Sequence, residues 1–329
     1  MSLGATNWKP GCSIEMIQLR ACLQQCIRDF FSDHAYMEVE TPLLSHDVII
    51  DANLDPFELS VAGERMYLQT SPEAAMKRLL AAGSGSIFQI TKSFRAAERG
   101  VLHNPEFTMV EWYGLETSWR DQIAITEQLI RRAADCISEQ FPTQLSPNQF
   151  EVTTYQQAFA TILNIDALTA PTGQLQKYVA DIQPGSAMPD DRDDLLNLLL
   201  AAKIEPRLGR RGPEFLIDYP VSQAALAETS EDDPRVARRF ELYVSGTEIC
   251  NGYQELTNPE ELHWRNIRAM ARRRQLNLTP LSGAPGLMSA MLSGLPHCSG
   301  VALGFDRLLM VLSGCNSLDE CLPFPIERA

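Results

Sequence analysis

The chain has 329 residues, of which 45% are hydrophobic, and its formal net charge at pH 7 is −14. A chain of this length forms one large domain or two modest ones and can bury a substantial core. The negative charge argues against a general surface for nucleic acids or anionic membranes, because both reward positive charge.

Eight cysteines are scattered along the chain without a CxxC pair or a zinc-like Cys/His spacing. A reduced, cytoplasmic protein fits this pattern best. No apolar run approaches the length of a membrane span, and the start Met1–Gly4 is not typical of a signal peptide. We therefore expect no membrane association.

The first predicted element is a helix capped by Ser13. Its apolar residues recur at spacings of three and four, at Met16, Leu19, Leu23, Ile27 and Phe30. A short extended segment, 37–41, follows and ends at Pro42. Residues 66–70 read as a strand that leads into a helix starting at Ser71-Pro72-Glu73 and ending near Gly83.

Residues 87–95 and 107–113 are predicted to form an antiparallel pair of strands. Alternation along the second strand places Phe107, Met109, Glu111 and Tyr113 on one face, with Arg95 supplied by the first. An arginine suits a phosphate, an aromatic ring suits a purine, and a carboxylate suits an ammonium. The pair predicts a site for ATP beside a cationic amine, although a half-buried sheet with surface salt links is equally compatible.

Residues from about 118 to 212 are rich in predicted helix and look like a helical insertion within a single domain spanning 1–329. A strand at 215–218 follows. Segments 240–244 and 247–251 flank Ser245-Gly246, a two-residue hairpin turn.

The hairpin register pairs Tyr243 with Glu248 and puts Glu241 on the same face. Two such carboxylates suit magnesium, a hard cation that takes oxygen ligands and keeps substrate phosphates among them. The alternative is a pair of exposed glutamates on an edge hairpin.

The last predicted elements are a strand at 301–305 and a helix that begins near Asp306-Arg307 and ends at Gly314. The sequence contains neither a Walker loop (GxxxxGK) nor a GxGxxG motif. Any ATP site would therefore lie on an antiparallel sheet.

Six segments, covering the chain from about residue 13 to its end, resemble the motifs and lysine pocket of class II lysyl-tRNA synthetases in order and spacing. They are Glu38–Pro42, Thr70–Glu73, Phe94–Arg95, His103–Tyr113, Thr247–Leu256 and Gly304–Arg307. The resemblance implies an α+β protein with the class II aminoacyl-tRNA synthetase catalytic fold, an antiparallel sheet flanked by helices. It also implies a homodimer.

The predicted first helix begins too early for the N-terminal anticodon-binding domain of those synthetases. In this respect the chain resembles a family of ligases that attach (R)-β-lysine to a lysine of elongation factor P. The resemblance implies that (R)-β-lysine, and less well α-lysine, is activated as an adenylate and transferred to elongation factor P, without tRNA.

The resemblance also implies which residues bind ATP. They are Arg95, Glu98, His103, Asn104, Phe107, Glu248, Ile249, Gly304 and Arg307. Arg95 and Arg307 would also be the catalytic groups, with Arg95 on the α-phosphate and the amino-acid carboxylate. Phe107 and Arg307 would cover the two faces of adenine, Asn104 would read its edge, and His103 would lie near the terminal phosphates.

The amino acid would be bound by a second group of residues. They are Ser71, Pro72, Glu73, Glu111, Tyr113, Asn251, Glu255 and Ala302. Glu111, Tyr113 and Glu255 would bind the distal ammonium, and Glu73 would lie near the other amine. Glu241 and Glu248 would hold Mg²⁺.

The chain departs from the synthetase pattern at two positions. Ala97 stands where the Phe-Arg-x-Glu motif has its acid, with Glu98 one residue later as the candidate substitute. Ala302 stands where lysyl-tRNA synthetases have glycine, and its methyl would crowd α-lysine more than β-lysine. A methyl group in a pocket changes rates by roughly 10–200-fold, so this residue gives a preference and not an absolute filter. Alanine packing against the sheet is the alternative.

Two other functions remain compatible with the sequence. A small-molecule ligase on this fold, such as ammonia-dependent asparagine synthetase, is disfavoured by Glu111 and Glu255, since an aspartate substrate would require basic residues there. A non-catalytic paralogue that binds an amino acid or a protein is disfavoured by the two arginines and the two magnesium-side glutamates, but Ala97 leaves it open.

Overall fold

The structure, a computed structural model, describes residues 8–52, 54–138, 150–185 and 187–329. Its helices are α1 (Ile14–Asp33), α2 (Glu73–Ala81), α3 (Trp119–Ile137), α4 (Tyr155–Leu163), α5 (Thr172–Ile182), α6 (Arg192–Leu199), α7 (Pro259–Gln275), α8 (Pro285–Gly294) and α9 (Phe305–Ser313). Its strands are β1 (Met37–Glu38), β2 (Leu44–Ser45), β3 (Glu58–Val61), β4 (Glu64–Leu68), β5 (Ile87–Phe94), β6 (Glu106–Leu115), β7 (Glu151–Thr154), β8 (Glu214–Pro220), β9 (Val236–Val244), β10 (Thr247–Gln254) and β11 (Cys298–Gly304). The predicted absence of a signal peptide at residues 1–4 lies outside the described residues.

The main sheet has eight strands in the order β1-β5-β6-β11-β10-β9-β8-β7. Neighbours are antiparallel except β1 with β5 and β7 with β8, the two edge pairs, which are parallel. The predicted antiparallel sheet with flanking helices is thus confirmed, and the parallel edges are what the sequence analysis did not foresee.

One face of this sheet is buried by α1, α3 and α9. Val110 and Trp112 of β6 join these helices in the largest core cluster. Trp112 is fully buried, and its ring centroid lies 5.1 Å from that of Phe31 on α1. Because side chains alternate along a strand, the residues between them point to the opposite face. That face carries the cavity described below.

The predicted helix that begins after Ser13 is confirmed, and the Ser13 hydroxyl accepts a hydrogen bond from the Met16 amide at 3.2 Å. The helix predicted at 71 begins later. Pro72 is its N-cap and not its first helical residue, while the Ser71 hydroxyl accepts a hydrogen bond from the Glu73 amide at 3.1 Å. This local bond holds Glu73 at the start of α2.

The hairpin prediction is also confirmed. Ser245 and Gly246 both have positive φ, 52° and 82°, as a type I′ turn requires. Tyr243 pairs with Glu248 as predicted, but a bulge follows Glu248, so that Glu241 lies opposite Asn251.

The described residues between 118 and 212 belong to three parts of the fold. Helix α3 belongs to the main core, and β7 extends the sheet beside β8. Helices α4 to α6 form a separate buried cluster that includes Tyr219 of β8 and Tyr243 of β9. A single domain over 1–329 stays a prediction. None of the described helices is both long and apolar enough to cross a membrane.

Candidate active site

A cavity of about 800 Å³ opens on the face of the sheet away from α1 and α3. Every residue assigned to a site from the sequence lines it except Pro72. Pro72 faces a separate cavity of about 30 Å³ beside Asp47 and Arg78. The two predicted acids, Glu111 and Glu255, and the two predicted arginines therefore share one space, although their individual roles stay predictions.

One end of the cavity, the acidic pocket, is lined by Glu73, Glu111, Tyr113 and Glu255, and Lys77 lies behind Glu73 and Glu255. Glu111 is 2% exposed and accepts a hydrogen bond from the Tyr113 hydroxyl on Oε1 at 2.6 Å. Its Oε2 is buried and has no hydrogen-bond partner. Burial, and after it the charge of Glu73, raises the pKa of Glu111 to about 8. A buried acceptor without a partner is costly, so this oxygen favours a cationic ligand.

Lys77 lies at the base of the acidic pocket. Its Nζ is 2.6 Å from Glu73 Oε1 and 2.5 Å from Glu255 Oε2, and the residue is 1% exposed. Burial acts to lower the pKa of Lys77, but the charges of Glu255 and Glu73 outweigh it and raise the pKa. The lysine is therefore an ammonium. Burial raises the pKa of Glu255 in spite of this ammonium.

Lys77 does not stand out in the sequence, because Glu73 and Lys77 are spaced i,i+4. On most helices this spacing marks an exposed salt bridge of small effect. Only the packing of α2 against the end of β10, which brings Glu255 to the same ammonium, shows that the pair is buried. The apolar neighbours of Lys77 at Ala74, Met76 and Leu80 are the one sequence signal of that burial.

The floor of the cavity is the central row of the sheet. Ala302 on β11 lies between Glu111 on β6 and Asn251 on β10. Asn251 donates from Nδ2 to the Tyr253 hydroxyl at 2.7 Å, while its Oδ1 is buried and has no hydrogen-bond partner. These residues offer oxygen acceptors beside the methyl of Ala302.

Gly300 allows the acidic pocket to close. A Cβ placed there would lie 2.4 Å from Cε1 of Tyr113 and 2.5 Å from Oε1 of Glu255. Any larger residue would push both side chains away. Gly300 was not among the predicted site residues, because nothing local in the sequence requires glycine at this mid-strand position.

The other end of the cavity, the arginine pocket, is formed by residues of the loop 95–105, β6, β10 and α9. They are Arg95, Glu98, His103, Phe107, Glu248 and Arg307. The Arg95 guanidinium lies 5.1 Å from the Phe107 ring centroid and 3.3 Å from Glu98. Its Nε is buried without a hydrogen-bond partner. Ala97 is exposed and does not line the cavity, whereas Glu98 does.

Arg307 connects three parts of the arginine pocket. It lies 3.1 Å from Oε2 of Glu248, donates to the Leu102 carbonyl at 3.2 Å, and approaches His103 Nε2 at 2.7 Å. Arg307 can only donate, so His103 Nε2 accepts and the imidazole is neutral. Burial and the Arg307 charge lower the pKa of His103 accordingly.

The side chain of Asn104 is committed to the backbone. Nδ2 donates to the Glu106 carbonyl at 2.6 Å, and Oδ1 accepts from the Ile326 amide at 3.1 Å. Asn104 thereby ties the C-terminal segment to the loop before β6. Its predicted contact with adenine stays a prediction.

The two predicted metal ligands, Glu241 and Glu248, line the same cavity. Glu241 accepts hydrogen bonds from the hydroxyls of Tyr219 at 2.5 Å and Tyr243 at 2.6 Å, and it pairs with Arg239 at 2.6 Å. The charges of Arg307 and Arg95 outweigh the effect of burial and lower the pKa of Glu248. Glu248 is therefore an ionised oxygen donor.

No group of three or more His, Cys, Asp or Glu side chains in the described part of the chain is arranged to hold a metal ion. Magnesium needs no such cage, because one or two carboxylates with substrate phosphates suffice. Glu205, which was not predicted from the sequence, also lines the cavity, and burial, followed by the charges of Glu241 and Glu248, raises its pKa to about 7. The donor set fits an ion that arrives with a nucleotide.

A family model for class II tRNA synthetases (D, K and N) matches residues 12–328. The chain belongs to this class II tRNA synthetase family. The fold predicted from the resemblance is thereby confirmed.

The chain is also similar over nearly its whole length to proteins named elongation factor P--(R)-beta-lysine ligase. It is 42% identical to that of Vibrio vulnificus, over 98% of this chain and 99% of the other. It is 41% identical to that of Salmonella gallinarum over 100% of both chains, and 40% identical to that of Yersinia pestis over 98% of both. The resemblance found in the sequence motifs is confirmed by these comparisons.

Proposed function

We propose that this protein is an ATP-dependent, AMP-forming ligase that activates (R)-β-lysine, and less well α-lysine, and transfers it to a lysine side chain of elongation factor P. The relatives at 40–42% identity carry this activity in their names. The geometry of the cavity supports the same reaction independently of those names.

The observation that carries the proposal is the buried, unpartnered Oε2 of Glu111. Glu111 lines the same cavity as Arg95 and Arg307. A ligand with a distal ammonium would complete the contacts of Glu111, and its carboxylate would lie toward Arg95. Aspartate, the substrate of the alternative small-molecule ligase, would instead bring an anion to a wall of buried acids.

The reaction has two steps. The amino-acid carboxylate attacks the α-phosphorus of ATP, the bond to the β,γ-diphosphate breaks, and pyrophosphate leaves. The acceptor lysine amine, having lost a proton, then attacks the activated carbonyl, an amide forms, and AMP leaves. Arg95 stabilises the charge on the phosphoryl oxygens in the first step, because its guanidinium is rigid and always ionised.

The nucleotide and its metal ion have a consistent set of partners. Phe107 and Arg307 offer a ring and a planar cation on which adenine can stack. Glu241 and Glu248 would hold Mg²⁺ together with the phosphates, where the ion would offset negative charge on the reacting oxygens. Glu98 lies beside Arg95 and is the side chain available to replace the acid missing at Ala97.

We further propose a cytoplasmic homodimer that modifies elongation factor P and does not charge tRNA. All eight cysteines are free thiols, as a reducing compartment favours. Ile14 of α1 and Met37 of β1 are 59% and 49% exposed, on the two segments that pack across the dyad in class II synthetases. The net charge of −14 opposes tRNA binding.

The test is ATP–pyrophosphate exchange with α-lysine, (R)-β-lysine and aspartate, followed by mass spectrometry of elongation factor P incubated with the enzyme. We expect exchange in the order (R)-β-lysine, α-lysine, aspartate, and a mass gain on elongation factor P equal to one β-lysyl group. A tRNA-charging assay tests the proposal that the protein does not charge tRNA, and sedimentation velocity tests the proposed homodimer.

Exchange stimulated most by aspartate would favour the small-molecule ligase. Exchange stimulated by none of the three would favour the non-catalytic paralogue. Normal lysylation of tRNA would overturn the assignment of a protein acceptor.

A further inference from the structure

Lys77 is a cation built into a pocket that otherwise holds acids. Its side chain comes from α2, one turn after Glu73, and reaches Glu255 at the end of β10. A buried ammonium is stable only when it is paired, and here it is paired twice. Lys77 is not among the residues that the motif resemblance assigns to the site, so its presence needs its own account.

The charges of the acidic pocket show what the lysine does. Glu73, Glu111 and Glu255 supply three carboxylates, and Lys77 supplies one ammonium. When all three acids are ionised, the pocket has room for two further positive charges. An amino acid with two ammonium groups meets this requirement, and one with a single ammonium leaves a buried carboxylate uncompensated.

We propose that Lys77 is a positioning residue that holds one oxygen of Glu73 and one of Glu255, so that the acidic pocket accepts a diammonium acid and discriminates against acids with one amine. The proposal deepens the proposed function and rests on it. Lys77 does not react with the substrate.

The contacts explain how the lysine acts. Because Nζ binds Oε2 of Glu255, Oε1 of that carboxylate is turned toward the cavity wall at Gly300 and Tyr113. Without the ammonium, Glu73 and Glu255 would both lose a partner, and the buried Glu255 would hold a proton more tightly. The substrate would then have to displace this proton in order to bind.

Other titratable groups face this cluster from each neighbouring element. They are Glu111 and Tyr113 on β6, Cys298 on β11, and Glu228, whose charge acts on Glu255 from the loop before β9. Tyr113 and Cys298 remain protonated at neutral pH, since burial raises the pKa of both. Glu228 is paired with Arg238 at 3.4 Å. The response to pH near neutrality therefore comes from Glu111 and Glu255, whose pKa values burial raises to about 8 and about 7.

The decisive variant is Lys77→Met, which keeps the length of the side chain and removes its charge. In ATP–pyrophosphate exchange we expect KM for the diammonium substrate to rise ~30–100-fold at pH 7 while kcat stays within ~3-fold. The increase in KM should shrink as pH rises toward 9, because the carboxylates then ionise without help. Lys92→Met is the matched control, since Lys92 is exposed on β5 and outside the cavity.

A second experiment tests whether a small added cation can replace the side chain removed in Lys77→Ala. Lys77→Ala should recover KM at least ~5-fold in the presence of n-propylammonium, which replaces the missing cation, and should not respond to the neutral n-propanol. If Lys77 had only a structural role, both additives would change KM of Lys77→Ala equally, or neither would change it.

The wild-type enzyme keeps the proposal testable even if neither variant folds. Norleucine and 6-aminohexanoate each present one ammonium, and both should have kcat/KM at least ~100-fold below α-lysine. Equal use of 6-aminohexanoate and α-lysine would overturn the proposal. So would a Lys77→Met enzyme whose KM and pH profile match the wild type, or one that loses kcat with KM unchanged.

Failure of this inference is separable from failure of the proposed function. A wild-type enzyme that shows no exchange with any lysine isomer sinks the proposed function. An active wild type whose Lys77→Met variant behaves like Lys92→Met sinks only the role of Lys77.

Discussion

The two ends of the cavity differ in how their charges are held. In the acidic pocket Lys77, Glu111 and Glu255 are each at most 2% exposed, and each makes short contacts. In the arginine pocket the side chains of Arg95 and Arg307 are 25% and 19% exposed. Charges interact more strongly where water is excluded, so the acidic pocket is prebuilt for a small cation. The arginine pocket is wetter and suits a large polyanion that brings its own charge.

From this difference we expect the largest loss of activity from a substitution in the arginine pocket. Arg95→Ala should lower kcat/KM for ATP–pyrophosphate exchange by ~10²–10³-fold, because no other described side chain offers a guanidinium over the Phe107 ring. KM for the amino acid should change less than kcat. Initial rates of ATP–pyrophosphate exchange at saturating ATP and varied amino-acid concentration give both KM and kcat.

Arg235→Ala is the matched control for Arg95→Ala. Arg235 is an exposed arginine paired with Asp233 and lies outside the cavity. An Arg95→Ala enzyme with wild-type kcat would show that the arginine pocket does not stabilise the reacting phosphate.

The next effect tests the tight packing of the acidic pocket. Gly300→Ala places a methyl within 2.5 Å of atoms of Tyr113 and Glu255, and such overpacking costs ~1–3 kcal/mol. We expect KM for α-lysine and (R)-β-lysine to rise ~5–150-fold, with a small change in KM for ATP.

Gly173→Ala provides the control, because a Cβ there meets nothing within 4 Å. Isothermal calorimetry of amino-acid binding separates a loss of affinity from a loss of folded protein. Unchanged affinity in Gly300→Ala would mean that Tyr113 and Glu255 can move without cost and that the pocket is not preformed.

The sequence indicates some neighbours in each pocket, and its limit is physical. Arg95 and His103 lie in the connection between β5 and β6, and Phe107 lies near the start of β6, so these three are close along the chain. Both pockets also depend on contacts between distant segments, such as that of Arg307 with Glu248. Lys77 meets Glu255 across 178 positions, a pairing that no local pattern encodes.

Two features of the fold show the same limit. The two-residue hairpin turn at Ser245-Gly246 follows from the turn residues and was predicted correctly, and the structure shows it to be of type I′. The bulge after Glu248 and the parallel edge strands β1 and β7 were not, because they depend on how strands from separate regions meet. Local chemistry fixes turns and caps, whereas register and edges are settled by packing.

A smaller effect is expected at Ala302, on the row between Glu111 and Asn251. Ala302→Gly removes one methyl from the cavity floor, and a methyl-sized change shifts relative rates by about 10-fold or somewhat more. The ratio of kcat/KM for α-lysine to that for (R)-β-lysine should rise. Parallel exchange assays with the two isomers measure this ratio, and an unchanged value would remove Ala302 from the specificity of the site.

The smallest expected effect is the number of protons released on amino-acid binding, which tests whether water is excluded from the acidic pocket. Burial raises the pKa of Glu111 from 4.5 to about 8, so at pH 7 the free enzyme carries a proton there. An ammonium at Oε2 favours the carboxylate and expels that proton. Binding of α-lysine at pH 7 should therefore release nearly one more proton in the wild type than in Glu111→Gln, as measured by calorimetry in buffers of different ionisation enthalpy.

The same shift has a defined sign for stability. Between pH 4.5 and about 8 the unfolded chain loses the Glu111 proton while the folded protein keeps it, so the contribution of this group to stability falls as pH rises. Glu111→Gln should flatten that slope in denaturant titrations, and Glu260→Gln, at an exposed position of α7, should leave it unchanged. Equal proton release and equal slopes in all three proteins would mean that water reaches Glu111, and the contrast between the two ends of the cavity would then disappear.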